Sequence, residues 1–485
     1  LTRTFATRIP FSLKTGVAIN RQDWSRNQSD QTYTFQPGTA VTERTAGKWG
    51  LVDEAFSAAL KPYPGNRVIQ WISPKRTHDL YRQRPELFVL DRAAEHTTQA
   101  NNDKRIVETV TAGYLRGDLR AFSNRLLVVA GVRFEETADE GWGPLQDPTA
   151  QYQKDARGNV VRNAAGSPIL ITTDALERAK LRYQRRGTRV EKSYHGFYPS
   201  VNASFSLRQD LLLRAAYAET IGRPDFNFIL PGITITDVTA TPGNRLITVV
   251  NTGLTPWTSS NSDLSLESYA IKGAIASVGV FQKNIKNFFG ATRYRATPEI
   301  LTALDLPVEQ EFLDYDVATT MNVGEAKITG FEFGYKQALT FLPNWARGVQ
   351  VFANVSALRT QGDGAAEFNG FTPRTYNWGV SLTRAHYNLR VNFNYQGQRR
   401  QGQITATGTD RIGPAIYNWR DDRLYIDVLG EVSLRRNLAF FFNLRNVHDQ
   451  TERIVISGPQ TPASARFRQS TDFGALWTFG IKGSF

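Results

Sequence analysis

Three observations on the sequence predict an all-β fold, namely a transmembrane antiparallel β-barrel. The final stretch, DFGALWTFGIKGSF, places mostly large apolar side chains at every second position and small or polar ones between them. Segments with the same period of two recur from Phe11 to Phe485, and the links between them are alternately long and short. Alternate residues of a strand face opposite sides, and a barrel wall in a bilayer needs one lipid side and one aqueous side.

Composition narrows the class of protein. Among 485 residues, 41% are hydrophobic, yet the longest apolar run is only residues 126–132, too short for a membrane-spanning helix. Aromatic residues make up 12%, as the interfacial girdles of a barrel require. Cysteine is absent, which excludes disulfides, thiol nucleophiles and thiolate zinc sites. No change in composition looks like a linker, so residues 1–485 are expected to form one barrel domain.

The net charge of +13 does not indicate nucleic-acid binding. Lys and Arg residues are scattered singly, at inward positions of strands or in links, as at Arg133, Arg214, Arg390 and Arg445. A nucleic-acid-binding protein would instead concentrate them on one helix or one face. Nucleic acid is therefore not an expected partner.

The first strand is predicted to begin at Phe11 and to continue towards Trp24. A polar insertion of about residues 37–103 follows, with helical patterns at 52–60 and 78–94. The next strands are predicted at 105–120, 126–136, 198–207 and 211–220, with a second insertion at about 139–189.

Beyond residue 220 the links continue to alternate between short and long, and about fourteen strands are expected in all. Short links are predicted near 272–273, 343–348, 386–388 and 435–437, and long ones near 224–261, 290–313, 363–373, 402–414 and 452–466. Outer-membrane barrels have short periplasmic turns and long extracellular loops.

Four passages resemble a known family, the TonB-dependent outer-membrane receptors. They are LLRAAYAETIGRPDF at residues 212–226, MNVGEAKITGFEF at 321–333, FFFNLRNVHD at 440–449, and the terminal strand that ends at Phe485. The third departs mildly from the family pattern, since Val447 and His448 stand where Leu-Phe is commoner. The resemblance extends over the whole chain.

This resemblance implies a 22-stranded barrel filled by an N-terminal plug domain, with an energy-coupling segment ahead of the plug. The sequence contains no segment that resembles the plug or the coupling segment, so the chain is expected to be the C-terminal barrel portion. Its Phe11 strand is then expected to pair with a strand outside this sequence.

The implied function is import, not catalysis, and no cofactor is expected. The ligand would be a scarce nutrient such as a siderophore, cobalamin or an oligosaccharide. Implied partners are the Gram-negative outer-membrane bilayer, the TonB energy-coupling complex and the barrel-assembly machinery. The alternative is a complete fourteen-stranded passive channel.

The terminal strand resembles the signal that the barrel-assembly machinery recognises. Its outward side chains are expected to act both as that signal and as lipid contacts: Trp477, Phe479, Ile481 and Phe485.

Candidate ligand contacts are the inward residues of a strand at 389–396, in which Leu389, Val391, Phe393 and Tyr395 face outward. The inward residues are Arg390, Asn392, Asn394 and Gln396. These polar side chains either contact a passing substrate, or line the lumen and bind the plug.

Other candidates have two interpretations. Trp71, Trp142, Trp257 and Trp419 suit stacking on sugar rings, but Trp is equally a girdle residue. Two His-Asp pairs, at His78 and His448, raise the possibility of a hydrolase, but no nucleophile accompanies them and no metal-ligand spacing occurs. No loop is rich in His or Met, which favours sugars or other organic ligands over haem or metals.

Overall fold

The structure is a computed structural model that describes residues 1–59, 70–241, 244–304, 306, 308, 310–362, 370–404, 416–459 and 461–483. The strands are β1 (Thr2–Phe5), β2 (Phe11–Arg26), β3 (Tyr33–Phe35), β4 (Phe88–Leu90), β5 (Lys104–Ala121), β6 (Leu126–Gln146), β7 (Tyr183–Arg208), β8 (Leu211–Gly222), β9 (Ile233–Ile235), β10 (Leu246–Val249), β11 (Trp257–Ser268), β12 (Ala274–Arg295), β13 (Asp316–Ala338), β14 (Val349–Gln361), β15 (Arg374–Thr383), β16 (Tyr387–Gln396), β17 (Arg399–Gln403), β18 (Tyr417–Arg420), β19 (Arg423–Arg435), β20 (Leu438–Arg445), β21 (Glu452–Ser457), β22 (Phe467–Thr471) and β23 (Leu476–Gly483). The helices are α1 (Glu54–Ala59), α2 (Pro74–Gln83), α3 (Arg92–Asn102), α4 (Ala175–Arg182), α5 (Phe226–Ile229), α6 (Pro298–Ala303) and α7 (Gln310–Leu313). In the described ranges, no helix is long and apolar enough to cross a membrane.

Among the described residues, fourteen long strands build one continuous antiparallel wall. Each pairs with the next in the order β2, β5, β6, β7, β8, β11, β12, β13, β14, β15, β16, β19, β20, β23. The predicted number of strands is therefore confirmed. β1 pairs with the start of β2, and no ladder among the described residues joins β1 or β2 to β23.

One face of this wall is apolar and exposed along its length. Val17 is 89% exposed, Phe197 65% and Ile481 68%, although each is large and hydrophobic. Aromatic side chains stack across neighbouring strands on the same face, with ring centroids 5.2 Å apart for Trp378 and Phe393. An exposed apolar belt of this extent needs lipid around it, so this face is the outward one.

The links differ sharply at the two ends of the wall. The turn between β5 and β6 spans only the four residues 122–125. Phe122, Ser123 and Asn124 have φ between 50° and 67°, so the chain reverses through the left-handed region. Opposite ends of the same strands connect through tens of residues. The predicted alternation of short turns and long loops is thus confirmed.

Two predictions about the insertions were wrong. The pattern at 78–94 does not form one helix, because Pro85 ends α2 after Gln83 and a short strand, β4, precedes α3. The second insertion is also shorter than predicted. β6 runs to Gln146 and β7 starts at Tyr183, since polar strands continue to pair beyond the apolar belt.

The described residues of three long loops, 147–182, 223–256 and 296–315, pack together above the wall, and we call them the loop cap. The strand β10 pairs in parallel with the upper end of β13. A buried cluster that includes Ile235, Ile247, Leu301 and Phe312 joins the second loop to the third.

Buried polar contacts connect the first loop of the cap to the second. The side chain of Gln151 donates to Asp237 at 3.0 Å, and the Tyr152 hydroxyl donates to the same carboxylate at 3.0 Å. Burial, with the charge of Asp237 beside it, raises the pKa of Tyr152 to about 12. The cap is therefore a packed unit rather than three independent loops.

Candidate functional site

The predicted inward row lies on β16, where the register with β15 and β19 fixes its neighbours. Asn394 lies between Asn377 and Tyr425, and Asn392 lies between Gly379 and Asp427. These positions alternate with the outward Val391 and Phe393, as the sequence predicted. The row therefore faces the lumen.

Arg390, Asn392 and Asn394 line one cavity of about 530 Å³. Its inward lining also includes residues of β14, β15, β19 and β20 and the residue after β20: Phe352, Asn377, Tyr425, Asp427, Arg445 and Asn446. Gln396 is outside this lining, and its side-chain oxygen instead accepts a hydrogen bond from Arg423 Nη2 at 2.9 Å. The structure thus brings three of the four predicted residues together.

Close packing and hydrogen bonds hold the cavity wall in place. Phe352 lies against Gly379, where an added Cβ would be 2.7 Å from the Phe352 ring. Asn394 donates to the Asn377 side chain, and the backbone N–H of Asn446 donates to Asp427 Oδ1 at 2.9 Å. Asn446 needs φ of 52°, a conformation that Asn adopts more readily than most residues.

The cavity presents both donors and acceptors to its interior. Asn392 Oδ1 is buried and has no hydrogen-bond partner among the described residues. A buried polar atom of this kind normally has a partner. A row of amides with two guanidinium groups can bind hydroxyl and carboxylate groups, whereas no acid–base pair with a nucleophile lines the cavity.

Two arginines on β18 and β19 approach one carboxylate at the upper end of this row. Arg420 Nη1 is 3.3 Å from Glu452 Oε2, and Arg423 bonds the other carboxylate oxygen. The Tyr425 hydroxyl donates to Glu452 Oε1 at 2.7 Å. The sequence alone does not indicate this group, because its members are separated by up to 32 positions in the chain and belong to no motif.

A second inward polar group, also missed, lies under the loop cap on β5, β6 and β7. Asp139 has Glu108 and Lys192 as its cross-strand neighbours. Arg223, at the start of the loop between β8 and β11, donates to Thr137 at 3.1 Å and pairs with Glu135. The Arg-Pro of residues 223–224 belongs to a passage that resembles the family, but the sequence does not indicate the partners of Arg223.

The four tryptophans do not form one surface. Trp71 packs edge-on against Phe56, Trp257 against Phe288, and Trp142 lies beneath Arg105 and Arg189. Trp419 is on the short β18. Stacking on a sugar ring at any one of them stays a prediction.

Three of the four predicted assembly residues share one face of β23. Phe479 is 58% exposed and stacks on Phe440 of β20 with centroids 6.3 Å apart, and Trp477 and Ile481 are on the same side. Phe485 lies outside the described residues. Their role in assembly stays a prediction.

Comparison with known families identifies the protein family of this chain. The family described as TonB dependent receptor-like, beta-barrel, matches residues 1–447. The chain belongs to the TonB-dependent receptor β-barrel family. The fold class and the family that the sequence predicted are therefore both confirmed.

Solved structures agree with this assignment at the level of fold. The ferric-catecholate import receptor Fiu of E. coli K12, in its closed form, has a TM-score of 0.53 at 14% identity. The match covers 100% of this chain and 53% of Fiu. The ferric citrate transporter FecA has a TM-score of 0.51 at 12% identity, with 99% of this chain and 53% of FecA covered.

The copper transporter OprC has a TM-score of 0.50 at 12% identity, with 98% of this chain and 56% of OprC covered. This TonB-dependent receptor barrel thus spans about half the length of the solved receptors that it matches. A search of curated proteins found no match.

Proposed function

We propose that this protein imports a small molecule across the Gram-negative outer membrane, with energy supplied by the TonB complex. The observation that supports this most is the division of one wall into an exposed apolar face and an inward face with a polar cavity of about 530 Å³. Membership of the TonB-dependent receptor family supports the energy coupling. The outer-membrane bilayer and the barrel-assembly machinery are its proposed partners.

Similarity of fold does not identify the ligand. Fiu, FecA and OprC are named for ferric catecholate, ferric citrate and copper, and each is under 15% identical to this chain. A siderophore, cobalamin or an oligosaccharide all stay within the proposal, as do other scarce organic nutrients.

A passive channel of fourteen strands is the rival function. A closed wall of that size needs a ladder between its first and last strands, since unpaired backbone groups in hydrocarbon cost several kcal/mol each. Over its described residues β23 pairs with β20 and with no other strand. This favours the energy-coupled receptor over the rival.

Uptake in matched strains tests the proposal. A strain that lacks the receptor is complemented with the full-length gene and supplied with ferric chelates, cobalamin or oligosaccharides as the limiting nutrient. We expect one class to restore growth, and short-term uptake of that labelled nutrient to disappear when TonB is deleted. Equal uptake with and without TonB would contradict energy coupling and favour the passive channel.

A further inference from the structure

Two guanidinium groups meet around one carboxylate where the wall joins a small upper sheet, and a third arginine lies in the strand beside them. This sheet is formed by β17, β18, β21 and β22. In its register, Arg399 lies directly opposite Arg420, although like charges in opposed positions destabilise a sheet. Arg420 and Arg423 both contact Glu452, and both are largely shielded from solvent.

The charges of this group do not balance. Arg399 has no ion-pair partner among the described residues, so Glu452 is the only carboxylate there that pairs with any of these three arginines. The two nearby aspartates are occupied elsewhere. Asp422 accepts a hydrogen bond from the outward Tyr395 at 3.2 Å, and Asp421 accepts one from Gln398 at 3.5 Å.

Hydrogen-bond donors of the same side chains are also unpaired. In the part of the chain that the structure describes, the Nε atoms of Arg399, Arg420 and Arg423 are buried and have no acceptor. Buried donors are rarely left in this state, because an unmade hydrogen bond to a charged group is costly. The group therefore lacks both negative charge and acceptor atoms.

The arginine group is continuous with the lumen cavity. Tyr425 bonds Glu452 and also lines the cavity, and Arg423 bonds Gln396 at the top of the inward row. Arg390 lies six residues before Gln396 on β16, roughly 20 Å along the strand. It lines the cavity together with Arg445. Against these two arginines the lining supplies one carboxylate, Asp427. The excess of positive charge thus extends down the lumen.

We propose that Arg399, Arg420 and Arg423 form an oxyanion-binding site, and that the imported molecule carries carboxylate or phosphate groups. The planar guanidinium fork matches both groups with two parallel hydrogen bonds. A bound oxyanion supplies the missing charge and the missing acceptors together. This inference rests on the proposed import function, because it names the chemical class of the ligand.

Binding to the purified full-length protein tests the site apart from transport. The probes are citrate and pyrophosphate, with glucose as the neutral control, measured by calorimetry in low salt. We expect both anions to bind and glucose not to bind. Arg420→Gln and Arg423→Gln should each weaken anion binding about tenfold or more, since a hydrogen bond to a charged group is lost.

Arg453→Gln is the matched control, because Arg453 adjoins Glu452 on β21 but alternates to the other face of the strand. It should leave binding unchanged, and heat-modifiable migration on gels shows that each variant has folded. Absence of anion binding, or binding that Arg420→Gln and Arg423→Gln do not weaken, overturns the inference. If the anion site fails this test but a neutral ligand is still taken up in a TonB-dependent way, the proposed import function remains supported.

Discussion

Replacing Asp139 with Asn should stabilise the attachment of the loop cap at neutral pH. Asp139 is the fourteenth residue of β6, above the roughly ten residues that cross the apolar band. Burial, followed by the charge of Glu108, raises the pKa of Asp139 from 3.8 to about 6, although Lys192 and Arg223 act in the opposite direction. One of its carboxylate oxygens is buried with no partner among the described residues.

The sign and the size of the effect follow from this pKa. A carboxyl whose folded-state pKa is raised favours the folded state when protonated, and that contribution is lost as the pH rises from about 4 through about 6. The difference between 3.8 and about 6 corresponds to at most about 3 kcal/mol, and partial solvent access reduces it to about 1–2 kcal/mol. An amide has no charge to desolvate, so Asp139→Asn avoids this cost at every pH.

Hydrogen exchange of the backbone amide of Leu230, which donates to Phe226 at 2.8 Å within the docked loop, measures the attachment. At pH 7 the amide of Asp139→Asn should exchange about 5–30 times more slowly than in the native protein, and at pH 4 the two should agree. Asp263→Asn, at an exposed carboxylate of β11, is the control and should change neither value. Equal exchange at pH 7, or a difference that persists at pH 4, would refute the argument from burial.

Three further predictions concern the membrane face, assembly and acid stability. Val391→Arg places a charge between Val380 and Val428 near the middle of β16, and it should make folding from detergent into lipid less favourable by about 2–4 kcal/mol. Asn392→Arg, on the inward face, should change this free energy of folding little. Equal tolerance of both substitutions would show that the two faces are assigned wrongly. Phe479→Ala together with Phe485→Ala should lower the amount of heat-modifiable barrel in the outer membrane, and normal levels would rule out an assembly role. Burial alone would raise the pKa of Asp237, but hydrogen bonds from Thr239 and Tyr152 and the charge of Arg182 hold it below its usual value. Asp237→Asn should therefore loosen the loop cap by about 1–2 kcal/mol at pH 7, an effect that vanishes as the pH falls below about 4, measured by limited proteolysis of the cap.

The sequence predicted the wall well, because lipid imposes a simple rule on each strand. In β16, Val391 and Phe393 must be apolar while Asn392 and Asn394 need not be, and this alternation can be read without any knowledge of neighbours. The register then follows from short turns such as 384–386, which leave few ways to pair consecutive strands.

The site above the wall was predicted less well, since it is built by contacts between distant parts of the chain. Strands β6 and β7 extend past the apolar belt as polar ladders, where alternation of hydrophobicity no longer marks them. Glu452 meets Arg420 and Arg423 only because β18 and β21 pair in a separate sheet. Single-sequence patterns contain no record of such pairing, so Arg390 and Asn392 were found while Arg399 and Arg420 were missed.

Spin labels along β16 test the central claim, that these strands cross a bilayer with one face to lipid and one to the lumen. These 485 residues contain no cysteine, so a cysteine introduced at position 389, 391, 392 or 394 is the one labelling site within them, and any cysteine elsewhere in the full-length protein is replaced by serine beforehand. In reconstituted membranes, collision with lipid-soluble oxygen should dominate at 389 and 391, and collision with a water-soluble nickel chelate should be relatively greater at 392 and 394. Ratios that fail to alternate with a period of two, or that alternate in the opposite phase, would contradict the account.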